Sequence, residues 1–316
     1  MKLRNLSIAG LGALALACGP QLGASPRAAV PGVDPVSGAL SSVEVELPGA
    51  ELSNVRGPAG ALIVGASLES GRVVGGASPE CPLRQRSPSS ASLQPIGSRC
   101  ASLLGAYATL ERARAFLLSA GAEAFAPALV LFEPRAQAQA EDEPQAGIHY
   151  LASADLFTLA SGPSGARVPA SLNPGAVTRE VSRRQLRALA EQHPDEAEGV
   201  ALFLGAAASG DPGYLASSES RGDPRGELDL SRPLPADAVP SAVVAGALWA
   251  WADASGDLLG PARAALGAAR ALAAARDHES GPAALLSLVA EQLDGAERDQ
   301  ACAVFRARAG RLPACP

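Results

Sequence analysis

The sequence predicts an α+β fold, and two observations carry that expectation. Short β-like segments set apart by glycines fill the first part of the chain, and from Asn173 onward one helical pattern follows another. At 316 residues, with 47% hydrophobic residues that are mostly alanine, leucine and valine, the chain is long and apolar enough for one large or two modest domains with real cores. Charged residues make up 18%, and every basic residue after Lys2 is an arginine. A net charge of −6 offers no basic surface for nucleic acid, so no nucleic-acid partner is expected. After the first seventeen residues no run approaches the roughly 18 apolar residues of a spanning helix.

The elements follow in order. Lys2 and Arg4 precede an apolar stretch from Leu6 to Ala17, the pattern of an export signal. Leu14-Ala15-Leu16-Ala17-Cys18 resembles a bacterial lipoprotein cleavage box, with Ala15 in place of the more usual leucine. On that reading residues 1–17 are a lipoprotein signal peptide, Cys18 becomes the lipid-bearing first residue, and the membrane is a partner through its lipid. An ordinary secretory signal with an incidental cysteine is the competing reading. Residues 18–40 are rich in Ser, Pro and Gly and read as a flexible tether. Val43–Leu47 alternates and Ala61–Gly65 is a buried-looking run, which predicts a small β region over 41–100. Its last part, 78–100, is Pro/Ser-rich and bracketed by Cys81 and Cys100, so a disulfide-held loop is expected there.

Residues 101–316 form the second predicted domain, with a β/α part to about 172 and a helical lobe over 173–316. Leu103, Leu104, Tyr107, Leu110, Ala113, Phe116 and Leu117 recur at helical spacing and predict a helix over 101–120, stopped by Gly121. Strands are expected at 128–132, 148–151 and 156–159, with an acidic surface loop over 135–145. Helices are expected over 174–192, 195–209, 241–254, 261–275, 282–293 and 296–309, with a polar, Pro-rich stretch at 219–240. Pro174, Pro261 and Pro282 each suit a first helical position.

Of the five cysteines, a lipidated Cys18 leaves Cys81, Cys100, Cys302 and Cys315, and four cysteines allow three pairings. The local pairing, Cys81 with Cys100 and Cys302 with Cys315, needs the least rearrangement, each bridge being worth about 3 kcal/mol. A cysteine metal site competes, but no Cys-x-x-Cys pair exists. There is no Gly-rich phosphate loop, no GxSxG and no internal repeat.

The chemistry concentrates after Asn173, whose side chain can accept from the amides of a first turn begun by Pro174. Arg179, Glu180 and Arg183 then share one side of the helix. As an ordinary charged face, these residues and Arg184 would be solvated and weakly paired. The three histidines, His149, His193 and His278, are too scattered for a metal motif; His193, at a helix end, suits the helix dipole. A rebuilt metal site would need His149 or His193 together with Glu198.

From Leu104 onward the order of motifs resembles the thermolysin/fungalysin-like zinc metallopeptidases, and in particular their bacterial lipoprotein relatives. Ala106-Tyr107-Ala108-Thr109-Leu110-Glu111-Arg112-Ala113 is similar to that family's first long helix, and the segment after Gly147 to its cleft-lining edge strand. Asn173–Arg183 resembles the approach to HExxH, and Glu198-Gly199-Val200-Ala201-Leu202-Phe203 the helix that brings the third zinc ligand. Gly210-Asp211-Pro212 and Ala245–Trp249 match phrases found downstream. The resemblance covers about residues 100–310 and implies a zincin-like α+β fold.

It also shows what is missing. Arg179 and Arg183 stand at the two histidine positions, and an arginine offers no lone pair to a metal. Glu180 and Glu198 match the general base and the third ligand, whereas Leu202 replaces the aspartate that would orient a histidine. No histidine lies between His193 and His278 to serve the oxyanion. The resemblance therefore implies a degenerate site at Arg179, Glu180, Arg183, Glu198 and Leu202, zinc lost and no cofactor, with an Arg–Glu network in place of the metal. The expected function is a non-catalytic binding or scaffold module at the cell envelope, with a protein or peptide partner in the former cleft. An active metallopeptidase with an atypical metal site and a purely structural helical lipoprotein are the alternatives.

Overall fold

The computed structural model describes residues 25–33, 39–88, 90–134, 147–160, 168–217, 228–235, 237–275, 280–310 and 312–315. The leader, Cys18, the acidic loop over 135–145 and His278 lie outside them.

The fold is α+β, arranged around the first helix, α1 (Ser98–Ser119), which packs against strands of two sheets and against the first helix of the C-terminal lobe. Leu103, Leu104, Tyr107, Leu110 and Leu117 of α1 are fully buried, so it is enclosed over most of its length. The first sheet has the order β2-β1-β7-β6, from β1 (Arg27–Val33), β2 (Leu40–Glu46), β6 (Leu83–Gln85) and β7 (Ser92–Pro95). The second runs β3-β4-β8-β10-β9, from β3 (Arg56–Gly57), β4 (Gly60–Glu69), β8 (Ala128–Phe132), β9 (Gly147–Leu151) and β10 (Leu156–Ala160), with β5 (Arg72–Ala77) paired to the far end of β4. In this sheet β4, β8 and β10 are parallel, and β9 closes the edge antiparallel to β10.

Three sequence expectations are corrected here. The tether over 18–40 contains β1, whose Ala28, Ala29 and Val30 are buried. β7 pairs only with Arg27 and Ala28, so Pro31 lies where the strand has one neighbour and a proline is tolerated. Gly32 is required there, because a Cβ would collide with Val43 on β2. Second, the stretch 78–100 is not simply a loop, since β6 and β7 form a hairpin within it and α1 starts at Ser98, placing Cys100 in the helix's first turn. Third, no boundary falls at residue 100: β4, from the first predicted domain, pairs in parallel with β8 of the second over Gly60–Val64 and Ala128–Phe132. Parallel pairing needs a long crossover, which no local pattern records.

The lobe comprises α2 (Pro174–Gln185), α3 (Arg187–Ala190), α4 (Pro194–Ser209), α5 (Pro240–Ser255), α6 (Leu259–Ala274), α7 (Pro282–Glu291) and α8 (Gly295–Ala309). The helix expected over 174–192 is thus two, broken at Leu186, whose backbone leaves helical angles while its side chain stays buried. No helix among the described residues is long and apolar enough to cross a membrane.

Candidate functional site

The site lies where α2 and α4 run antiparallel beside β9. The sequence starts α2 as expected: the Asn173 side chain accepts from the amides of Gly175 (3.0 Å) and Ala176 (3.2 Å), and Pro174 takes the first turn. Asn173 Nδ2 also donates to the carbonyl of Tyr214 at 2.7 Å, tying the cap to the segment beyond α4. Small residues set the separation of the two helices. A Cβ at Gly205 would lie 2.6 Å from the Tyr214 hydroxyl and 2.7 Å from the Gly175 carbonyl, so glycine permits this approach. Glu180 and Glu198 are thereby brought together.

Both arginines engage both glutamates. Arg179 Nε donates to Glu198 Oε1 at 2.9 Å, Arg179 Nη2 reaches the same oxygen, and Arg179 Nη1 lies 3.6 Å from Glu180 Oε1. Arg183 Nη1 stands 3.3 Å from each Glu180 oxygen, and Arg183 Nε 3.4 Å from Glu198 Oε2. The Glu180 side chain is only 2% exposed, whereas Arg183, at 41%, forms the outer wall. Burial alone would depress the Arg179 pKa. The charges of Glu198 and Glu180 outweigh it and raise the value above the ordinary arginine range. The two cations offset one buried and one part-buried anion that would otherwise be unpaired. The reading of these residues as a solvated helix face does not hold for Glu180, which is buried, or for Arg179, whose side chain is only 13% exposed.

Glu180 has a further partner that sequence reasoning missed. Its Oε2 accepts the backbone N–H of Tyr150 on β9 at 2.8 Å, so a carboxylate of α2 occupies a donor of the sheet's edge strand. Arg184 was also missed. It forms a two-pronged pair with Asp155 (Nε to Oδ1 2.8 Å, Nη2 to Oδ2 2.9 Å), donates to the Ala126 carbonyl at 2.8 Å, and lies over the Phe125 ring. Tyr150 Oη donates to Asp155 Oδ1 at 2.9 Å. Hydrogen bonds from Arg184, then from Tyr150, hold the Asp155 carboxyl below its ordinary value. No sequence signal would have paired residues so far apart.

Leu202 is buried in the core one turn beyond Glu198. His149 lies on β9. His193 precedes Pro194 as the cap residue of α4, and its N–H also closes α3 onto the Leu189 carbonyl at 2.7 Å. Among the described residues no three His, Cys, Asp or Glu side chains group as metal ligands. Arg179 and Arg183 themselves do not suit a metal. The guanidiniums of Arg179 and Arg183 carry no lone pair and fill the space between the two carboxylates with positive charge.

On α1, Glu111 is buried and accepts from Tyr107 Oη (2.8 Å) and from the Ala59 amide (2.9 Å), fastening the helix to the start of β4. Burial and then the Glu111 carboxylate drive the Tyr107 pKa upward.

The cysteines divide. Cys302 and Cys315 are bonded, with Cα atoms 5.3 Å apart. The bond expected between Cys81 and Cys100 is not closed in this structure. Both remain buried thiols, with the Cys100 thiol directed at the carbonyl of Glu80, the residue beside Cys81, at 3.7 Å. Of the two expected bridges only Cys302–Cys315 is formed.

No protein-family model matches the chain, and no curated protein matches it.

Proposed function

We propose that this chain is an exported envelope lipoprotein, anchored through Cys18, whose metallopeptidase-like domain is non-catalytic and serves as a binding or scaffold module. The observation that carries this reading is the four-residue network. Arg179 and Arg183, which on the family resemblance correspond to zinc-binding histidines, are both bonded to Glu180 and Glu198, which on the same resemblance correspond to the catalytic base and third ligand. A glutamate surrounded by arginine donors and a strand N–H has its lone pairs engaged and is poorly placed to take a proton from water. The same contacts favour a structural use of the site: Glu180 joins α2 to the edge strand, and Glu198 joins α4 to α2. A protein or peptide partner would then be recognised on the rim of the former cleft, where Arg183 is exposed.

Metal analysis of the purified protein tests the reading. We expect less than one-tenth equivalent of zinc after dialysis against zinc-containing buffer, and no peptide hydrolysis. Stoichiometric zinc with proteolysis abolished by a chelator would overturn it in favour of an active enzyme with an atypical metal site.

A further inference from the structure

Cys81 and Cys100 are left over from the chemistry described above, and their surroundings differ in a way that matters. Cys100 sits in the first turn of α1, a helix enclosed over most of its length. Cys81 lies on the strandless connection between β5 and β6, between the exposed residues Glu80 and Pro82. That connection is held by few bonds. Cys81 N–H reaches the Ser53 carbonyl at 2.7 Å, and the Pro82 carbonyl receives the Ile96 N–H at 2.9 Å. Both thiols are nevertheless covered, at 3% and 7% exposure, and the Cys100 thiol lies 3.7 Å from the carbonyl of Glu80, the residue next to Cys81.

We propose that Cys81 and Cys100 are a dithiol that closes to a disulfide by exchange with a small disulfide oxidant, gated by local opening of the connection around Cys81. Opening that segment breaks two backbone hydrogen bonds, whereas exposing Cys100 would unwind the start of α1, so Cys81 meets the oxidant first. With oxidised glutathione, the Cys81 thiolate attacks one sulfur, forms a mixed disulfide and expels one glutathione thiolate. When the segment closes again, the Cys100 thiolate attacks the Cys81 sulfur and expels the second glutathione. One glutathione disulfide is reduced to two thiols, and the protein gives up two electrons and two protons. While the segment is closed the reaction is suppressed. Burial, followed by the neighbouring Cys100 thiol, pushes the Cys81 thiol up to about 12, leaving almost no thiolate at neutral pH. The bond would fasten the β6–β7 hairpin to the first turn of α1, and its chemistry is independent of the envelope role proposed above.

The test oxidises the purified, fully reduced chain with glutathione disulfide, quenches with acid, unfolds, alkylates and maps the peptides. We expect Cys81 and Cys100 in one cross-linked peptide, with closure at least tenfold faster in urea kept below the unfolding transition than in native buffer. The oxidised protein should melt about 5–10 °C higher than the reduced one. Cys100→Ser should stall as a glutathione adduct on Cys81, and Cys81→Ser should leave Cys100 unmodified over the same period. Thiols that remain alkylatable, an adduct on Cys100 in the wild-type chain, or a closure rate indifferent to urea would each overturn the proposal. The wild-type map and its urea dependence decide the matter even where a serine variant fails to fold.

Discussion

Arg179 shows how residue-scale physics operates in this molecule, because its charge is useful only where two carboxylates have been brought beside it. Removing Glu198 leaves Arg179 facing a single weaker partner. Glu198→Ala should therefore lower stability by about 1–3 kcal/mol in denaturant unfolding, a range reduced for the partial exposure of the pair. The double variant Arg179→Ala/Glu198→Ala should lose at least about 1 kcal/mol less than the two single losses combined; strict additivity would mean that the pair is not coupled. Asp155 supplies a pH dependence. Its folded pKa lies below the ordinary 3.8, so its contribution is present above that value and disappears as pH falls through the folded value. Asp155→Asn should flatten the loss of stability below about pH 4, measured as unfolding midpoints across a pH series. The sequence named Arg179, Glu180, Arg183 and Glu198 together. It gave no sign that Glu180 would also hold the Tyr150 N–H, because that bond depends on where an edge strand comes to rest.

Elements obey the same logic one level up. The start of α2 was legible because Asn173 and Pro174 act on amides within three residues of themselves. Asn173→Ala should cost about 1–2 kcal/mol, including the bond to the Tyr214 carbonyl. The close approach of α2 and α4 was not legible, since Gly205 looks like any helical glycine until Gly175 lies against it. Gly205→Ala should destabilise by about 2–3 kcal/mol even though alanine is the better helix former, as its Cβ meets the Tyr214 hydroxyl and the Gly175 carbonyl. A weaker effect than that of Asn173→Ala would mean that the helices part readily. β1 was hidden by its Pro31-Gly32 pair. Val30→Asp distinguishes strand from tether: buried in the sheet it should cost more than about 3 kcal/mol, whereas in a tether it would cost nothing measurable.

At the scale of the whole molecule, the sequence divided the chain near residue 100, but the folded core does not. One apolar cluster runs from Ala28 on β1 through α1 and β8 to Phe305 on α8 and Cys315. Trp249 and Trp251 both lie on α5 and so report the helical lobe, while far-ultraviolet circular dichroism reports all elements. The two signals should show the same unfolding midpoint in denaturant; a separate earlier transition in either would restore a two-domain description.

The sequence by itself determined what groups a few residues apart can decide: the α+β class, the capped start of α2, the helical lobe and the absence of metal-ligating chemistry at Arg179 and Arg183. These follow from φ/ψ preferences, first-turn hydrogen bonds and the fixed protonation of arginine, none of which needs a distant partner. The tertiary structure alone decided the parallel pairing of β4 with β8, the clasp of Arg184 on Asp155, and the burial of Cys81 and Cys100 as free thiols. Each joins segments tens of residues apart, and which of many such contacts forms depends on how the entire core packs, since closing a long loop costs little more for one pairing than for another.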